Sequence, residues 1–129
     1  MIIGAAGIVG AKEAESNLNY LRENNLGAAE VSFTHSTYLK KEDAIRIGKI
    51  AEKLNIKLSI HGSYYINLNA IEKEKITKSK ERILKACQIG EYLKATHLVF
   101  HPGYYGKDTK EKTYENIKNE MLDLQKTIK

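Results

Sequence analysis

Two histidines stand where a side chain can do chemistry. His61 closes the run Lys57-Leu58-Ser59-Ile60 and opens the segment His61-Gly62-Ser63-Tyr64-Tyr65-Ile66-Asn67-Leu68. His101 closes His97-Leu98-Val99-Phe100 and is followed by Pro102-Gly103-Tyr104-Tyr105. An imidazole is a nitrogen ligand and a proton carrier near neutral pH. If the two runs are adjacent strands about 4.8 Å apart, both rings reach one ion, since Zn–N bonds need only about 2.0–2.1 Å. Two unrelated histidines, one in a turn and one hydrogen-bonded in a core, account for the residues equally well at this level. The flanking tyrosines carry a second signal. Tyr64-Tyr65 and Tyr104-Tyr105 hold four of the eight tyrosines in the chain. Such rings either pack loops or stack on unpaired bases and wedge into a disturbed duplex.

The elements that must position these groups follow from hydrophobic spacing. Strand patterns cover Ile2 to Ala5, Ala28 to Phe33, Lys57 to Ile60 and His97 to Phe100. Each precedes a helical stripe. These are Ala14, Leu18, Leu21; then Ile47, Ile50, Ala51, Leu54; then Ile76, Ile83, Cys87, Gly90, Leu93; and last Tyr114, Ile117, Met121, Leu124, Ile128. Four consecutive strand–helix units predict an α/β fold with a parallel sheet, because parallel neighbours need crossover helices. A closed (β/α)8 barrel takes roughly 250 residues, so this chain matches half of one; an open doubly wound sheet is the other closure. Leu58 and Ile60 share one face of their strand, and Ser59 and His61 share the other. Likewise Leu98 and Phe100 oppose Val99 and His101, and Val31 and Phe33 oppose Glu30 and Ser32. With the bulky set against helices, His61 and His101 emerge on the inner face at strand C-terminal ends, where β/α enzymes keep their chemistry.

Other candidates carry less. His97 begins its strand, at the end away from the site, and reads as structural. His35 ends a strand on the correct rim but shares the outward parity of Phe33, so a turn role serves as well. Gly4-Ala5-Ala6-Gly7-Ile8-Val9-Gly10 lacks the G-x-G-x-x-G spacing, and no acidic residue ends the second strand, which sets a dinucleotide site aside. Cys87 has no activating neighbour and reads as a packing thiol. Tyr114, Met121 and their stripe read as core.

At 129 residues, residues 1–129 form a single domain. A formal net charge of +5 suits an anionic partner. Most charge, however, lies in mixed runs such as Glu72-Lys73-Glu74-Lys75, the pattern of solvated helix faces. One cysteine excludes a disulfide framework and fits a reducing, cytoplasmic compartment. No apolar run is long enough to span a bilayer, so no membrane partner is expected. The glycine-broken, base-free start reads as strand and turn rather than a signal peptide.

Together, His61-Gly62-Ser63-Tyr64-Tyr65-Ile66-Asn67-Leu68 and Phe100-His101-Pro102-Gly103 resemble the deoxyribonuclease IV (endonuclease IV) family of apurinic/apyrimidinic endonucleases. Lys78-Ser79 and the helix up to Gly90 are similar as well, especially to archaeal members. The resemblance runs through almost the whole chain and covers the N-terminal half of the family's barrel. Either motif alone is shared with the wider xylose-isomerase-like group of sugar isomerases and epimerases. The resemblance implies a DNA-repair endonuclease that uses zinc ions to hydrolyse the phosphodiester 5′ to abasic sites in double-stranded DNA. It implies His61 and His101 as ligands of one zinc and Tyr64 and Tyr65 as DNA-binding residues. Asn67 matches a motif position of unknown role.

Three departures qualify that expectation. The family's bridging glutamate on a fifth strand has no position before Lys129. Gly4-Ala5-Ala6-Gly7 replaces the histidine of bacterial members, and the loop around His35 offers no match to the basic DNA-inserting residue. This chain is therefore expected to hold only part of the catalytic site, and to bind zinc weakly without cleaving DNA alone. The alternatives are a non-catalytic half-barrel that binds DNA or a partner chain, and a sugar isomerase- or epimerase-like half-barrel. Two open sheet edges also predict a homo-oligomer or a separate C-terminal half as partner.

Overall fold

In the computed structural model, which describes residues 1–7 and 10–128, four short runs form a parallel sheet. The strands are β1 (Gly4–Ala6), β2 (Ala28–Ser32), β3 (Lys57–His61) and β4 (His97–Val99), in the spatial order β1-β2-β3-β4. Each is followed by its helix: α1 (Gly10–Glu23), α2 (Lys41–Lys53), α3 (Lys73–Leu93) and α4 (Lys110–Gln125). This is the architecture of half a (β/α)8 barrel. Ile8 and Val9 of the glycine-rich turn, and Lys129, lie outside the described residues.

The alternation read from sequence divides the sheet into two faces. Ala29, Val31, Leu58 and Ile60 are buried beneath the helices. Glu30, Ser32, Ser59 and His61 are half-buried on the opposite, inner face, and Val99 is exposed there. Register sets Ser32 beside His61 and His61 beside Val99. Strand ends differ from the sequence reading by a residue or two, as termini usually do. Ile2 and Ile3 precede β1 and are exposed, although the Ile3 carbonyl still accepts from Gly27 N–H at 2.9 Å. Phe33 lies just past β2, yet its N–H donates to the His61 carbonyl at 2.8 Å and its ring is fully buried.

The main core joins Ala14, Leu18 and Leu21 of α1, Ala44, Ile47 and Ala51 of α2, and Ala86, Ile89 and Leu93 of α3 against the sheet. Gly48 lets α2 approach α3 closely: a Cβ there would lie 2.8 Å from the Leu93 carbonyl oxygen. A second cluster, Ile66, Leu68, Ile83 and Leu124, fastens α4 over the β3–α3 loop and α3. Lys80 reinforces it by pairing with Glu120 and, at 2.7 Å, with Asp123.

The stripe of the last helix needs correction. Leu124 is buried and Ile117 and Met121 are half-buried, but Tyr114 is 64% exposed and Ile128 lies beyond the helix end and is exposed. α4 packs through one edge of its stripe, joined in its first turn by Thr113, which is buried and accepts from Asn69 Nδ2 at 3.4 Å. Cys87 is half-buried beside this cluster, and burial pushes its thiol pKa up, away from nucleophilic use. Among the described residues no helix is long and apolar enough to cross a membrane.

Candidate functional site

The mouth of the sheet is built by two loops that hold each other. Past the end of β3, Gly62 N–H donates to the Val99 carbonyl at 2.7 Å, extending the β3–β4 ladder by one residue. Leu68 N–H donates to the Pro102 carbonyl at 2.8 Å. Gly103 leaves room for Asn67: a Cβ there would fall 2.8 Å from Asn67 Oδ1 and push that side chain aside. Asn67 itself is a brace: its N–H donates to Ser79 Oγ at 2.9 Å, and its Oδ1 accepts from Asn69 N–H at 3.1 Å. Asn69 continues the seam, donating to the Tyr104 carbonyl at 2.9 Å and accepting from Asn116 of α4 at 2.8 Å.

This bracing brings the two candidate imidazoles together. The His61 and His101 ring centroids are 5.4 Å apart at an interplanar angle of 52°. Tyr64 completes a three-ring cluster, 5.5 Å from His61 and stacked 5.7 Å from His101. His61 Nδ1 lies 2.9 Å from the Gly62 carbonyl oxygen. A carbonyl only accepts, so this contact requires Nδ1–H and leaves the Nε2 lone pair for a ligand, the usual arrangement of a metal-binding histidine.

Tyr65 points elsewhere. Tyr65 is 59% exposed, and its ring lies 6.3 Å from the His35 ring. Ser63 links the two, its hydroxyl accepting from Tyr65 N–H at 3.2 Å and donating to the His35 carbonyl at 3.4 Å. His35 thus belongs to the Tyr65 side of the rim and not to the imidazole pair. His97 lies at the other end of its strand, with Nδ1 2.9 Å from Thr96 Oγ1.

One feature of this face escaped sequence reasoning, and a second was legible only as strand parity. Arg82 of α3 reaches the rim, its guanidinium carbon 6.0 Å from the Tyr65 ring centroid. Glu30 presents a carboxylate to the inner face, where it accepts from Ser32 Oγ at 3.4 Å. The parity of β2 already places Glu30 inward, whereas no periodic signal joins Arg82 to Tyr65.

The donor set can be tested against zinc. Two imidazoles suit the ion chemically, but a zinc site needs four ligands, or three and an open position. Among the described residues no group of three or more His, Cys, Asp or Glu side chains is placed to hold a metal. His61 and His101 therefore fit as part of a ligand set and do not form a complete one.

Comparison with known proteins agrees with this architecture. Over 122 residues the chain is 39% identical to an uncharacterized protein of Methanocaldococcus jannaschii, covering 94% of this chain and 44% of that one. Over 95 residues it is 30% identical to an endonuclease 4 homolog of Dictyostelium discoideum, covering 71% of this chain and 17% of the relative. The chain thus spans less than half the length of these curated relatives. Among solved structures, the D-psicose 3-epimerase of Clostridium cellulolyticum superposes with a TM-score of 0.74 at 12% identity, covering 94% of this chain and 44% of that one. At that identity the likeness speaks to fold alone. The family description xylose isomerase-like TIM barrel matches residues 18–126. With the match running from the middle of α1 to just past the end of α4, the chain belongs to that family.

Proposed function

We propose that this chain is the N-terminal half-barrel of a DNA-repair protein of the endonuclease IV kind, recognising abasic sites in double-stranded DNA. In this reading His61 and His101 hold zinc, and Tyr64 and Tyr65 face the DNA. The observation that carries the reading is the shared mouth. Tyr64 stacks 5.7 Å from His101 while the adjacent Tyr65 is 59% exposed beside it. The two loops of one mouth therefore offer a candidate metal-ligating imidazole and an aromatic face free to stack on a base or fill a gap in a duplex. The net charge of +5 and the endonuclease 4 homolog among the relatives support the same choice.

The chain's own residues bind and orient in this proposal. The Nδ1–H of His61, turned to the Gly62 carbonyl, fixes its ring, and Tyr64 limits the swing of His101. Zinc, when bound, supplies Lewis-acid polarisation of a phosphoryl oxygen. Two imidazoles leave the rest of the ligand set to groups beyond these residues, so residues 1–129 by themselves are expected to bind abasic DNA without nicking it.

Fluorescence anisotropy tests the proposal, with zinc present, on a duplex carrying a tetrahydrofuran abasic analogue and on its intact counterpart. The expected result is tighter binding of the abasic duplex, with the preference lost in Tyr65→Ala. Equal affinity for the two duplexes overturns it. The epimerase-like fold favours a second reading, a half-barrel that binds a ketohexose. Ligand-observed NMR with D-tagatose separates the two, because a signal abolished by His61→Ala would establish a sugar site.

A further inference from the structure

We infer that Arg82 contacts a backbone phosphodiester of nucleic acid and is the positioning residue that holds Tyr65 in place beside it. The inference rests on the DNA-binding reading above and adds to it a residue that neither the sequence motifs nor the comparisons assign.

The geometry begins with an unneutralised cation. On α3, Lys75 pairs with Glu72, Lys78 with Glu74, and Lys80 with Glu120 and Asp123. Arg82 of the same helix has no carboxylate within ion-pair distance among the described residues. It turns instead to a residue 17 positions earlier, donating from Nη1 to the Tyr65 carbonyl at 3.4 Å. Its guanidinium carbon lies 6.0 Å from the Tyr65 ring centroid, within the range of a cation–π contact. Tyr65 is held from the other side as well, by the Ser63 hydroxyl on its N–H and by the His35 ring at 6.3 Å. The main chain is thus held on both sides and the ring is flanked by Arg82 and His35, while Tyr65 stays 59% exposed.

One hydrogen bond leaves most of the five guanidinium N–H donors free. A planar fork with full charge and free donors suits a phosphodiester, which it can take in a bidentate pair. Nucleic acid supplies both partners at once: a base or a gap for the exposed ring, and a phosphate for the cation beside it. A lone anion would use the guanidinium but leave the adjacent aromatic face without a role.

The test compares wild type with Arg82→Gln and Arg82→Lys, each checked for an unchanged melt, by anisotropy on abasic and intact duplexes at several salt concentrations. A phosphate contact predicts that Arg82→Gln weakens both duplexes and reduces the salt slope by about 1, and loss of its hold on Tyr65 predicts a smaller preference for the abasic duplex. Arg82→Lys is expected to restore the slope. A slope unchanged in Arg82→Gln overturns the inference, because a merely structural arginine would not move it. If wild-type protein binds neither duplex, the DNA-binding reading fails on its own, and the Arg82 site is then read by NMR with dimethyl phosphate. Shifts at Arg82 Nε–H and the Tyr65 ring, absent in Arg82→Gln, would support the anion contact. Their absence in wild type would overturn it.

Discussion

The two ends of the sheet are built on different principles. At the end where strands begin, three helix stops repeat one design. Asn25, Asn55 and Lys94 follow α1, α2 and α3 with φ values of 60°, 53° and 56°. The next residue closes each stop, with Leu26 N–H on the Leu21 carbonyl, Ile56 on Ala51 and Ala95 on Gly90, at 2.9, 2.8 and 2.9 Å. This six-residue closure satisfies the helix's last carbonyls and turns the chain straight into the next strand. At the opposite end no two loops are alike. The segments after β2, β3 and β4 span residues 33–40, 62–72 and 100–109, and they carry His101 and the exposed Tyr64, Tyr65, Tyr104 and Tyr105, with His61 closing β3 beside them. Uniformity marks the end whose task is stability, and variety marks the end free to take up chemistry.

The sharpest way to break this division is at its stable end. Leu93 is 1% exposed next to the third helix stop, so Leu93→Ala is expected to destabilise the fold by about 2–5 kcal/mol in a urea melt. A loss under 1 kcal/mol would show that this end does not carry the fold. Lys94 sharpens the comparison in the other direction. A residue with a Cβ is strained at φ 56°, so Lys94→Gly is expected to raise stability by about 0.5–1 kcal/mol despite losing the exposed Lys94–Glu52 pair. Thermal melts of both variants at one protein concentration measure this. The smallest effect belongs to the rim. Tyr64 is 50% exposed, and Tyr64→Ala is expected to change stability by no more than about 0.5 kcal/mol. The same variant should shift the His61 and His101 ring resonances in NMR. A melt lowered as far as that of Leu93→Ala would erase the distinction between the two ends.

The same contrast governs what the sequence discloses. The strands and their faces are legible because Val31, Leu58 and Ile60 alternate with Glu30, Ser59 and His61, and each step of two returns to the same side. Parity alone puts His61 and His101 on one face, and parallel pairing of β3 with β4 sets His61 beside Val99, two residues short of His101, whose ring comes within 5.4 Å. Tyr114 misleads because helical spacing identifies a face without saying whether anything covers it; its ring is 64% exposed. Arg82 is invisible for a different reason. Its partner Tyr65 lies in an irregular loop, whose path depends on hydrogen bonds such as Asn67 to Ser79 and Leu68 to Pro102 rather than on any repeat. Asn67 matches a motif without revealing its task, and only the contacts of its Oδ1 and N–H make it a brace.

The spatial order β1-β2-β3-β4 is also the order of synthesis. Each strand emerging from the ribosome finds the edge it pairs with already made, and its helix packs on a neighbour that already stands. Contacts between successive units keep loop-closure costs low and favour folding from the N-terminus onward. The last unit packs back on the loop and helix of the unit before it, where Leu124 joins Ile66, Leu68 and Ile83, and Asn116 bonds Asn69. The mouth that holds His61 and His101 is therefore set late in time, when α4 closes over a loop made some fifty residues before it.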